Sequence, residues 1–436
     1  TRRSSDLRMY VFLYPCCFYV SHKQLHIHLS LWFYIFLHLI HARMINKIGI
    51  LCTYSFPEGM APTIRILSYG QGLVDNGCKV EVVIFQPKVG DNAYSLSGYV
   101  GGVKYTYAHK RDTNKSKLYK LFVDRPKSLL NAIKKIRNSH KEEKFDCILL
   151  SFDYPIYLLF FAPVLRIIGI KVGFIGDEFP EPIRRLKSSI PFSYKLAYKF
   201  VYQFISFRVL MTEALQRFYN ELVCEKPTYI LCSILNTARF DGIVKQKVSR
   251  KYMCYMGNMM LAKDNVDNII RAFKRVCDDF SDVDLYLYGT PNDKDKSIVE
   301  GVISELGLGN RVFIKGRIDY NLVPQTLANA EILVTSQPAT KRAAGGFPTK
   351  LAEYMMSHTP AIVTNVGEIH YYVQDNNTVY LVEPYDDVAY AEKMRYILSH
   401  PQEAKEVAGR AYNYAIANFG SKEVTKKLID FLDNTL

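Results

Sequence analysis

Apolar runs of strand length alternate with amphipathic helices along most of the chain, and this alternation constrains the fold more than any other feature. The run "KIGILCTY" at 47–54 is typical of a buried strand, "IRILSYGQGLVDNG" at 64–77 of a helix, and "KVEVVIFQ" at 79–86 of the next strand. Strands separated by helices pair in parallel and are covered by helices on both faces. The sequence therefore predicts an α/β protein with doubly wound sheets.

A second series of the same kind begins at "KYMCYMGN", 251–258, and continues through the helical run "VDNIIRAFKRVCDDF". A chain of 436 residues also exceeds what one hydrophobic core usually supports. We therefore predict two Rossmann-like domains, 44–245 and 246–418, joined through the polar segment 241–250. A last helix over 419–436 is a candidate for crossing back onto the first domain.

The first 43 residues differ from the rest of the chain. They begin without Met, and their aromatic-rich run has no partner elements, so we expect 1–43 to be a non-native extension and Met44 the natural start. The apolar run at 29–40 is shorter than the roughly 20 residues of a transmembrane helix. A membrane anchor and a signal peptide remain the alternatives. The nine cysteines form no Cys-x-x-Cys pair, which favours a reducing cytoplasm over a disulfide framework or zinc site.

Positive charge is concentrated in the first half of the chain. The net charge is +14, and the segment 104–144 holds 13 Lys or Arg against 4 Asp or Glu. This excess predicts an anionic partner, such as a membrane leaflet or a lipid phosphate, with a solvated helix face as the alternative. Nothing resembles an RNA-binding signature, so we expect no nucleic acid. The aromatic and basic run at 190–210 is interpreted as a buried helix or as one lying on a membrane surface.

The segment "GGFPTKLAEYMMSHTPAIVTNVGE" at 345–368 places a glycine-containing turn directly before a helix. The backbone amides of 347–350 are expected to be free at the helix start, where they and the helix dipole bind phosphate. Lys350 adds positive charge, and Glu353 can accept hydrogen bonds from a sugar diol. The alternative is an exposed Lys–Glu pair worth a few tenths of a kcal/mol, roughly.

Together with "YMGNMMLAKDNVDNIIRAF" at 255–273, this segment resembles the donor-binding half of retaining glycosyltransferases of family 4, in the glycosyl transferases group 1. The resemblance continues, more weakly, from Lys47 to about Leu432. It implies the GT-B fold, in which two Rossmann-like domains face each other across a cleft. It also implies a nucleotide-diphosphate sugar as donor, retention of anomeric configuration, and neither a bound metal nor a cofactor.

The resemblance assigns roles to residues of the second half. Glu353 corresponds to the family's second motif Glu, which binds the nucleotide ribose, and Lys263 to the lysine that neutralises the leaving diphosphate. The backbone of 346–350 faces the sugar and the diphosphate. The predicted donor site comprises Gly257, Asn258, Lys263, Gly289, Gly346, Phe347, Pro348, Thr349, Lys350 and Glu353.

Two positions depart from the family pattern. Asn258 stands where an arginine is usual, and Gly345 stands where the motif's first Glu is expected. One cation near the diphosphate and one carboxylate near the donor sugar are therefore missing. Arg317, or Lys341 with Arg342, is a candidate for the missing positive charge.

Glycines near the ends of two predicted strands allow two interpretations each. At Gly289 a bulky side chain would crowd the nucleotide, although a simple turn after the strand explains the glycine equally well. Gly367 and Glu368 either cap the base pocket or begin the next helix.

The first half contributes a loop and a strand end to the predicted cleft. The loop at 55–65, "SFPEGMAPTIR", is similar to the family's glycine loop, which approaches the donor phosphate and the acceptor through Glu58, Gly59 and Arg65. Asp177 and Glu178 follow a later strand, where related enzymes contact the reacting sugar or the acceptor hydroxyl. Ordinary turn chemistry and a helix N-cap are the respective alternatives. The predicted catalytic residues are Lys263, Glu353, Asp177 and Glu178.

The resemblance thus predicts a retaining glycosyltransferase that transfers a sugar to a glycan or a lipid-linked acceptor in cell-surface polysaccharide or glycolipid synthesis. We expect it in the cytoplasm, with the inner face of the membrane as a further possible site. The alternatives are a nucleotide-sugar epimerase of the same fold and a non-catalytic nucleotide-sugar-binding subunit. Gly345 and Asn258 favour the second alternative.

Overall fold

Two β-sheets form from the apolar runs that the sequence places between helices. The computed structural model describes residues 45–59, 61–85, 95–110, 116–185 and 189–436, so the expected non-native extension 1–43 lies outside the described residues. The strands of the first sheet are β1 (Lys47–Cys52), β2 (Lys79–Ile84), β3 (Ser97–Val100), β4 (Val103–Tyr107), β5 (Cys147–Ser151), β6 (Lys171–Gly176), β7 (Phe207–Leu210) and β8 (Thr228–Ile230). The strands of the second sheet are β9 (Lys251–Met256), β10 (Val283–Tyr288), β11 (Val312–Gly316), β12 (Ile332–Thr335), β13 (Ala361–Thr364) and β14 (Tyr380–Val382).

The strand order explains why the central strands are continuously apolar. Within the described residues, the first sheet has the order β3-β4-β2-β1-β5-β6-β7-β8 and the second β11-β10-β9-β12-β13-β14. β1 lies between β2 and β5, pairs in parallel with both, and is buried along its whole length. Of the strand pairs described, only β3 with β4 is antiparallel. This confirms the predicted doubly wound α/β architecture.

Helices cover the sheets and follow the strands in the alternation that the sequence predicts. The helices of the first half are α1 (Ala61–Asp75), α2 (Lys117–Tyr119), α3 (Arg125–Glu142), α4 (Pro155–Ile168), α5 (Glu181–Arg184), α6 (Phe192–Val201) and α7 (Glu213–Leu222). A π-helical segment, Lys120–Asp124, joins α2 to α3. The later helices are α8 (Val266–Lys274), α9 (Asp293–Glu305), α10 (Val323–Ala328), α11 (Lys341–Ala344), α12 (Thr349–Met356), α13 (Ile369–Tyr372), α14 (Asp387–Ser399), α15 (Pro401–Phe419) and α16 (Ser421–Asp433). Two 3-10 turns lie at Thr237–Phe240 and Tyr320–Leu322.

The first sheet separates two hydrophobic cores. Ile48 and Ile50 of β1 point into the core shared with α1 and α16, whereas Leu51 points into the core shared with α3, α4 and α6. Each such buried side chain contributes about 1.5–3 kcal/mol. The last helix, α16, packs against α1, where a Cβ on Gly72 would overlap the backbone of Ser421. The chain's final helix therefore lies on the first sheet, although it follows the second in sequence.

The aromatic and basic run at 190–210 does not form one helix, so neither interpretation of it as a single helix holds. Helix α6 ends at Val201, and residues Phe207–Leu210 form the buried strand β7. Arg208 is fully buried in that strand, where it donates to Asn220 Oδ1 at 2.6 Å and to Thr228 Oγ1 at 3.0 Å. In the described part of the chain, no helix is long and apolar enough to span a bilayer.

Candidate active site

The carboxyl edges of both sheets border one cleft, as expected for ligand sites of open parallel sheets. It has a volume of about 550 Å³. Residues that follow strands on both sides line it: Tyr54, Asp153, Asp177, Asn258, Arg317 and Gln337. The cleft therefore takes its lining from the loops after β1, β5 and β6 in the first half and after β9, β11 and β12 in the second.

The start of α12 lines the cleft, and part of its backbone has the free amides that the sequence predicts. In the described residues, the amides of Thr349 and Lys350 have no hydrogen-bond partner, and the N-cap residue Pro348 supplies no side-chain cap. The Phe347 amide, also expected to be free, is occupied, as is that of Gly346 in the same loop. The Phe347 amide donates to Met211 Sδ at 3.0 Å, and the Gly346 amide donates to the Ala343 carbonyl at 3.2 Å. Pro348 itself carries no N–H, so the prediction for 347–350 holds only at its last two residues.

Lys350 lines the cleft as part of an ion pair and not as an isolated charge. Its Nζ lies 2.8 Å from Asp264 Oδ1 and 4.5 Å from the centre of the Tyr255 ring. Burial lowers the pKa of Lys350, and Asp264 opposes that shift. The predicted point charge for the diphosphate is therefore largely neutralised by a neighbour from the loop before α8.

Glu178 joins cations from both halves across the cleft. Its carboxylate lies 3.8 Å from Lys263 Nζ, 3.1 Å from Arg342 Nη2 and 3.4 Å from Arg184 Nη1. Burial alone would raise the pKa of Glu178, but Lys263 and Arg342 outweigh it and hold that pKa below its usual value. Both cations that face the predicted diphosphate site are thus paired with the same carboxylate of the protein, which offsets only one of their two charges.

Asp177 and Arg65, both predicted from the first half, form an ion pair. Arg65 Nε lies 2.9 Å from Asp177 Oδ1, and Arg65 Nη2 donates to the Leu231 carbonyl at 2.8 Å. Burial raises the pKa of Asp177 more than Arg65 lowers it. Gly59 lines the cleft beside them, whereas Glu58 is exposed and does not. The N-cap alternative fails for this strand end, because Pro180 holds that position at α5.

Glu353 lies outside the cleft lining. Its Oε1 accepts a hydrogen bond from Arg239 Nη1 at 2.5 Å, and the guanidinium of Arg239 stacks on the Tyr320 ring at 3.5 Å. Tyr320 itself lines the cleft. The predicted ribose acceptor is therefore paired with a residue that the sequence did not single out.

The missing first Glu has a steric explanation. A Cβ on Gly345 would overlap the ring of Phe179, which packs edge-on against Phe218 with centroids 5.1 Å apart. The Gly345 carbonyl also accepts a hydrogen bond from Thr212 Oγ1 at 3.2 Å. The first half of the chain therefore fills the space that a glutamate side chain would need.

Two of the three glycines of the predicted donor site, Gly257 and Gly289, leave room for close packing between the ends of two strands. Gly289 has φ +132°, and a Cβ there would overlap the Gly257 carbonyl oxygen. At Gly257 a Cβ would lie 2.7 Å from Lys350 Nζ. Neither glycine lines the cleft, whereas Asn258 and Arg317 do. The interpretation of Gly289 as a strand-to-turn residue is the one that the packing favours.

Glu368 contacts the first half of the chain. Its buried carboxylate accepts hydrogen bonds from the amides of Glu213 at 2.8 Å and Ala214 at 2.7 Å, and Arg217 Nη2 lies 3.2 Å away. It immediately precedes α13 but provides no side-chain cap to it. Of the two interpretations of Glu368, the structure favours the one in which it begins the next helix. This anionic cap on α7 joins the halves, and sequence reasoning missed it because its partner lies 154 positions away.

Further charged residues of the site also escaped the sequence analysis. Arg184, Arg239 and Asp264 each pair with a predicted residue, yet each lies in a segment that local pattern alone marks as surface. Lys341 does not line the cleft, so of the three candidates for the missing charge only Arg317 and Arg342 do. Among the described residues, no three His, Cys, Asp or Glu side chains are grouped to hold a metal ion.

A known protein family matches the second half of the chain. Residues 239–414 match the family model described as glycosyl transferases group 1. This match indicates a glycosyltransferase. A comparison with curated protein sequences found no match. The assignment to family 4 stays a prediction.

Solved structures match nearly the whole chain. Sucrose-phosphate synthase from Thermosynechococcus elongatus has 16% identity and a TM-score of 0.69, over 90% of this chain and 100% of that one. HepE from Anabaena, in complex with UDP and glucose, has 15% identity and a TM-score of 0.64, over 89% and 100%. A glycosyltransferase from Rickettsia africae has 15% identity and a TM-score of 0.66, over 89% and 98%. At these identities the likeness shows the fold, and the expected GT-B architecture is confirmed.

Proposed function

We propose that this chain is a retaining glycosyltransferase that transfers a sugar from a nucleotide-diphosphate donor to an acceptor hydroxyl. The bond between the anomeric carbon and the diphosphate oxygen breaks, and the nucleoside diphosphate leaves with the bonding pair. The acceptor oxygen attacks from the same face of the sugar and bonds to the anomeric carbon, and its proton passes to the departing diphosphate oxygen. A UDP-sugar is the first donor to test, because HepE is described as a complex with UDP and glucose.

The observation that carries this proposal is the excess of positive charge beside the unpartnered amides of Thr349 and Lys350. Among the described residues that line the cleft, four cations and two carboxylates remain apart from the pairs Arg65–Asp177 and Lys350–Asp264. These are Arg184, Lys263, Arg317 and Arg342 against Asp153 and Glu178. Fixed donors and cations aimed at a departing anion are usually the largest catalytic contribution. A diphosphate group matches that charge and those donors.

The residues of the cleft then take distinct roles. Lys263 and Arg342 neutralise the diphosphate. Arg342 thereby supplies the positive charge that is missing at Asn258, where an arginine is usual in the family. Because the diphosphate has the same sign as Glu178, it takes over the cations that Glu178 holds. Asp177 and Glu178 stay candidates for contact with the sugar or the acceptor hydroxyl.

Ribose binding by Glu353 is compatible with its ion pair. Arg239 engages Oε1, and among the described residues Oε2 has no hydrogen-bond partner. A ribose hydroxyl that donates to Oε2 would lie beside the Tyr320 ring at the edge of the cleft. Glu353 would therefore bind the nucleotide without first releasing Arg239.

The setting we propose is the synthesis of a cell-surface polysaccharide or glycolipid in the cytoplasm, with a glycan or lipid-linked acceptor. The support is the basic composition of the first half, which suits an anionic partner. Neither a metal nor a cofactor is part of the proposal.

A non-catalytic nucleotide-sugar-binding subunit is the second candidate. The packing of Phe179 against Gly345 favours it, because no carboxylate can stand at that position near the donor sugar. Such a subunit would bind the donor and never turn it over. Turnover therefore separates the two candidates.

The test is a donor screen with the full-length protein. Nucleoside diphosphate release is measured from a series of nucleotide sugars, with and without membrane extract as the source of acceptor. We expect acceptor-dependent release, and a loss of at least about tenfold, or about 1.4 kcal/mol, for Lys263→Ala. Lys274→Ala, an exposed lysine of α8, is the matched control. Full activity of Lys263→Ala would refute the site assignment, and tight donor binding without any release would identify the binding subunit.

A further inference from the structure

Three helical segments of the first half lie side by side on one face of the first sheet. Helix α4 packs against α3 on one side and against α6 on the other. Each segment follows the carboxyl end of a strand, β4, β5 or β6. Because the carboxyl ends of parallel strands share one edge, the first turns of these segments lie at the edge that borders the cleft.

Exposed apolar side chains concentrate toward these first turns. Phe122, Ile156 and Phe192 are 70%, 71% and 79% exposed. We call the following residues the apolar rim: Leu118, Tyr119, Leu121, Phe122, Val123, Leu130, Tyr154, Ile156, Leu159, Phe192, Leu196 and Phe200. Ile167, 84% exposed, lies at the opposite end of α4 and is not part of it. Grouped apolar side chains of this size on a surface mark an interaction site.

The charged side chains that the three helical segments themselves carry are almost all positive. The segment 117–141 holds eight Lys or Arg and one acidic residue, Asp124, which is buried beside His109. Helix α6 adds Lys195 and Lys199 and has no acidic residue, and the only charged residue of α4 is Arg166. Each Lys or Arg near an anionic leaflet contributes about 1 kcal/mol of attraction. Apolar and basic side chains on one face are the combination that an anionic bilayer surface binds.

The apolar rim is connected to the cleft through the start of α4. Asp153 lines the cleft, and its carbonyl accepts a hydrogen bond from Tyr198 of α6 at 2.8 Å. Its side chain pairs with Arg184, another lining residue, at 2.7 Å. The next residue, Tyr154, already belongs to the apolar rim. A molecule anchored at the rim can therefore reach the cleft past Asp153 and Arg184.

We infer that the apolar rim docks on an anionic lipid bilayer and that the acceptor is carried by a membrane lipid whose polar head enters the cleft beside Asp153 and Arg184. The identity of the acceptor rests on the proposed glycosyl transfer, whereas the docking does not. A soluble polyanion would use the basic residues but gain nothing from the exposed Phe and Ile side chains. The two parts of the inference therefore have separate readouts.

The docking is tested by sedimentation of the full-length protein with vesicles of phosphatidylcholine, alone or mixed with phosphatidylglycerol. We expect binding to the mixed vesicles at low salt, weaker binding at high salt, and at least about a tenfold loss for the triple variant Phe122→Ser, Ile156→Ser, Phe192→Ser. The matched control replaces three exposed apolar residues of the second half, Ile298→Ser, Leu322→Ser and Tyr371→Ser. Absence of sedimentation at every salt concentration, or equal binding of the triple variant and the parent protein, would overturn the docking.

The acceptor is tested by sugar transfer from the active donor to extracted lipids in vesicles and to a water-soluble glycan. We expect labelled lipid as the product, and we expect the triple variant to lose transfer to vesicles while it keeps the donor binding of the parent protein. Transfer only to the soluble glycan would overturn the lipid acceptor. If no donor is turned over at all, the proposed function fails, and the vesicle sedimentation still decides the docking.

Discussion

Glu178 sets the charge balance of the cleft, because its single carboxylate contacts cations contributed by both halves of the chain. Lys263 and Arg342 come from the second half and Arg184 from the first. An anionic ligand that reaches Lys263 and Arg342 must compete with this carboxylate. Glu178 is therefore an internal competitor for the donor's diphosphate.

The first prediction concerns this competition. Glu178→Gln keeps the size of the side chain and removes its charge, so nucleoside diphosphate binding should tighten by about tenfold, or about 1.4 kcal/mol. Titration calorimetry of the full-length protein with UDP measures it. Glu181→Gln is the control, because Glu181 pairs with the exposed Arg185 and does not line the cleft. Unchanged or weaker binding by Glu178→Gln would show that Glu178 does not compete with the ligand.

The second prediction separates the two possible roles of Glu353. If its carboxylate binds the ribose, Glu353→Ala should weaken nucleotide binding and lower donor turnover by at least about tenfold. Arg239→Ala, which removes the other partner of the same ion pair, should then cost clearly less. Equal losses in both variants would mean that Glu353 acts only through the ion pair.

The sequence predicted which residues line the cleft better than it predicted their hydrogen-bond and ion-pair partners. Lys263, Glu178 and the start of α12 do share one cleft, because each follows a strand or begins a helix at a sheet edge that the alternation defines. The partners are set by tertiary packing: Glu178 and Arg342 are 164 positions apart, and no local pattern connects them. The occupied amide of Phe347 depends in the same way on Met211, which belongs to the other half.

At the scale of elements, the second sheet depends on close contact between the ends of β9 and β10. The Gly257 amide donates to the Tyr288 carbonyl at 2.9 Å, and Gly289 donates to Gly316 at 2.8 Å. Gly289 has a positive φ, a backbone angle that residues other than glycine rarely adopt. The turn that follows β10 therefore fixes the backbone beneath Lys350.

The third prediction tests this contact. Gly289→Ala should lower the free energy of unfolding by at least about 2 kcal/mol, because the new Cβ meets backbone that cannot move aside. Thermal unfolding followed by circular dichroism measures the change. The control is Gly301→Ala, in the interior of α9 with open space around it, which should stabilise by about 0.5–1 kcal/mol. A melting temperature of Gly289→Ala equal to that of the parent protein would contradict this packing.

The alternation of apolar runs and amphipathic helices predicted the strands well. It did not predict where the aromatic segment 190–210 changes from helix to strand. β1, β9 and β13 fall inside the apolar runs that indicated them, because parallel strands that are buried over most of their length leave a continuous apolar signal. The run at 190–210 carries aromatic residues throughout, and these suit a helix or a strand. Only the pairing of β7 with β6 and β8 decides where the helix ends.

At the scale of the whole molecule, the two halves are joined by specific polar contacts around the cleft. Glu368 caps α7, Met211 accepts the Phe347 amide, and Glu178 bridges to Lys263. Two of these contacts come from the segment between β7 and α7, and the third comes from the loop after β6. These contacts therefore hold the two halves against each other beside the cleft.

The fourth prediction is that removing one of these contacts opens the molecule. Glu368→Ala removes hydrogen bonds to a charged group that contribute about 1.5–3 kcal/mol each, so the radius of gyration from small-angle X-ray scattering should increase. Adding UDP should reduce that increase. Glu383→Ala, an exposed residue bonded to Asn365, is the control. An unchanged scattering curve for Glu368→Ala would mean that the other contacts hold the halves together without it.

The central claim is that a diphosphate group binds at the start of α12 and takes Lys263 and Arg342 from Glu178. The most direct test is a crystal structure of the full-length protein with UDP. The account predicts phosphate oxygens within hydrogen-bond distance of the Thr349 and Lys350 amides, with Lys263 and Arg342 on the diphosphate and Glu178 displaced from both. A nucleotide bound elsewhere, or a cleft in which Glu178 keeps both cations while UDP is bound, would contradict it.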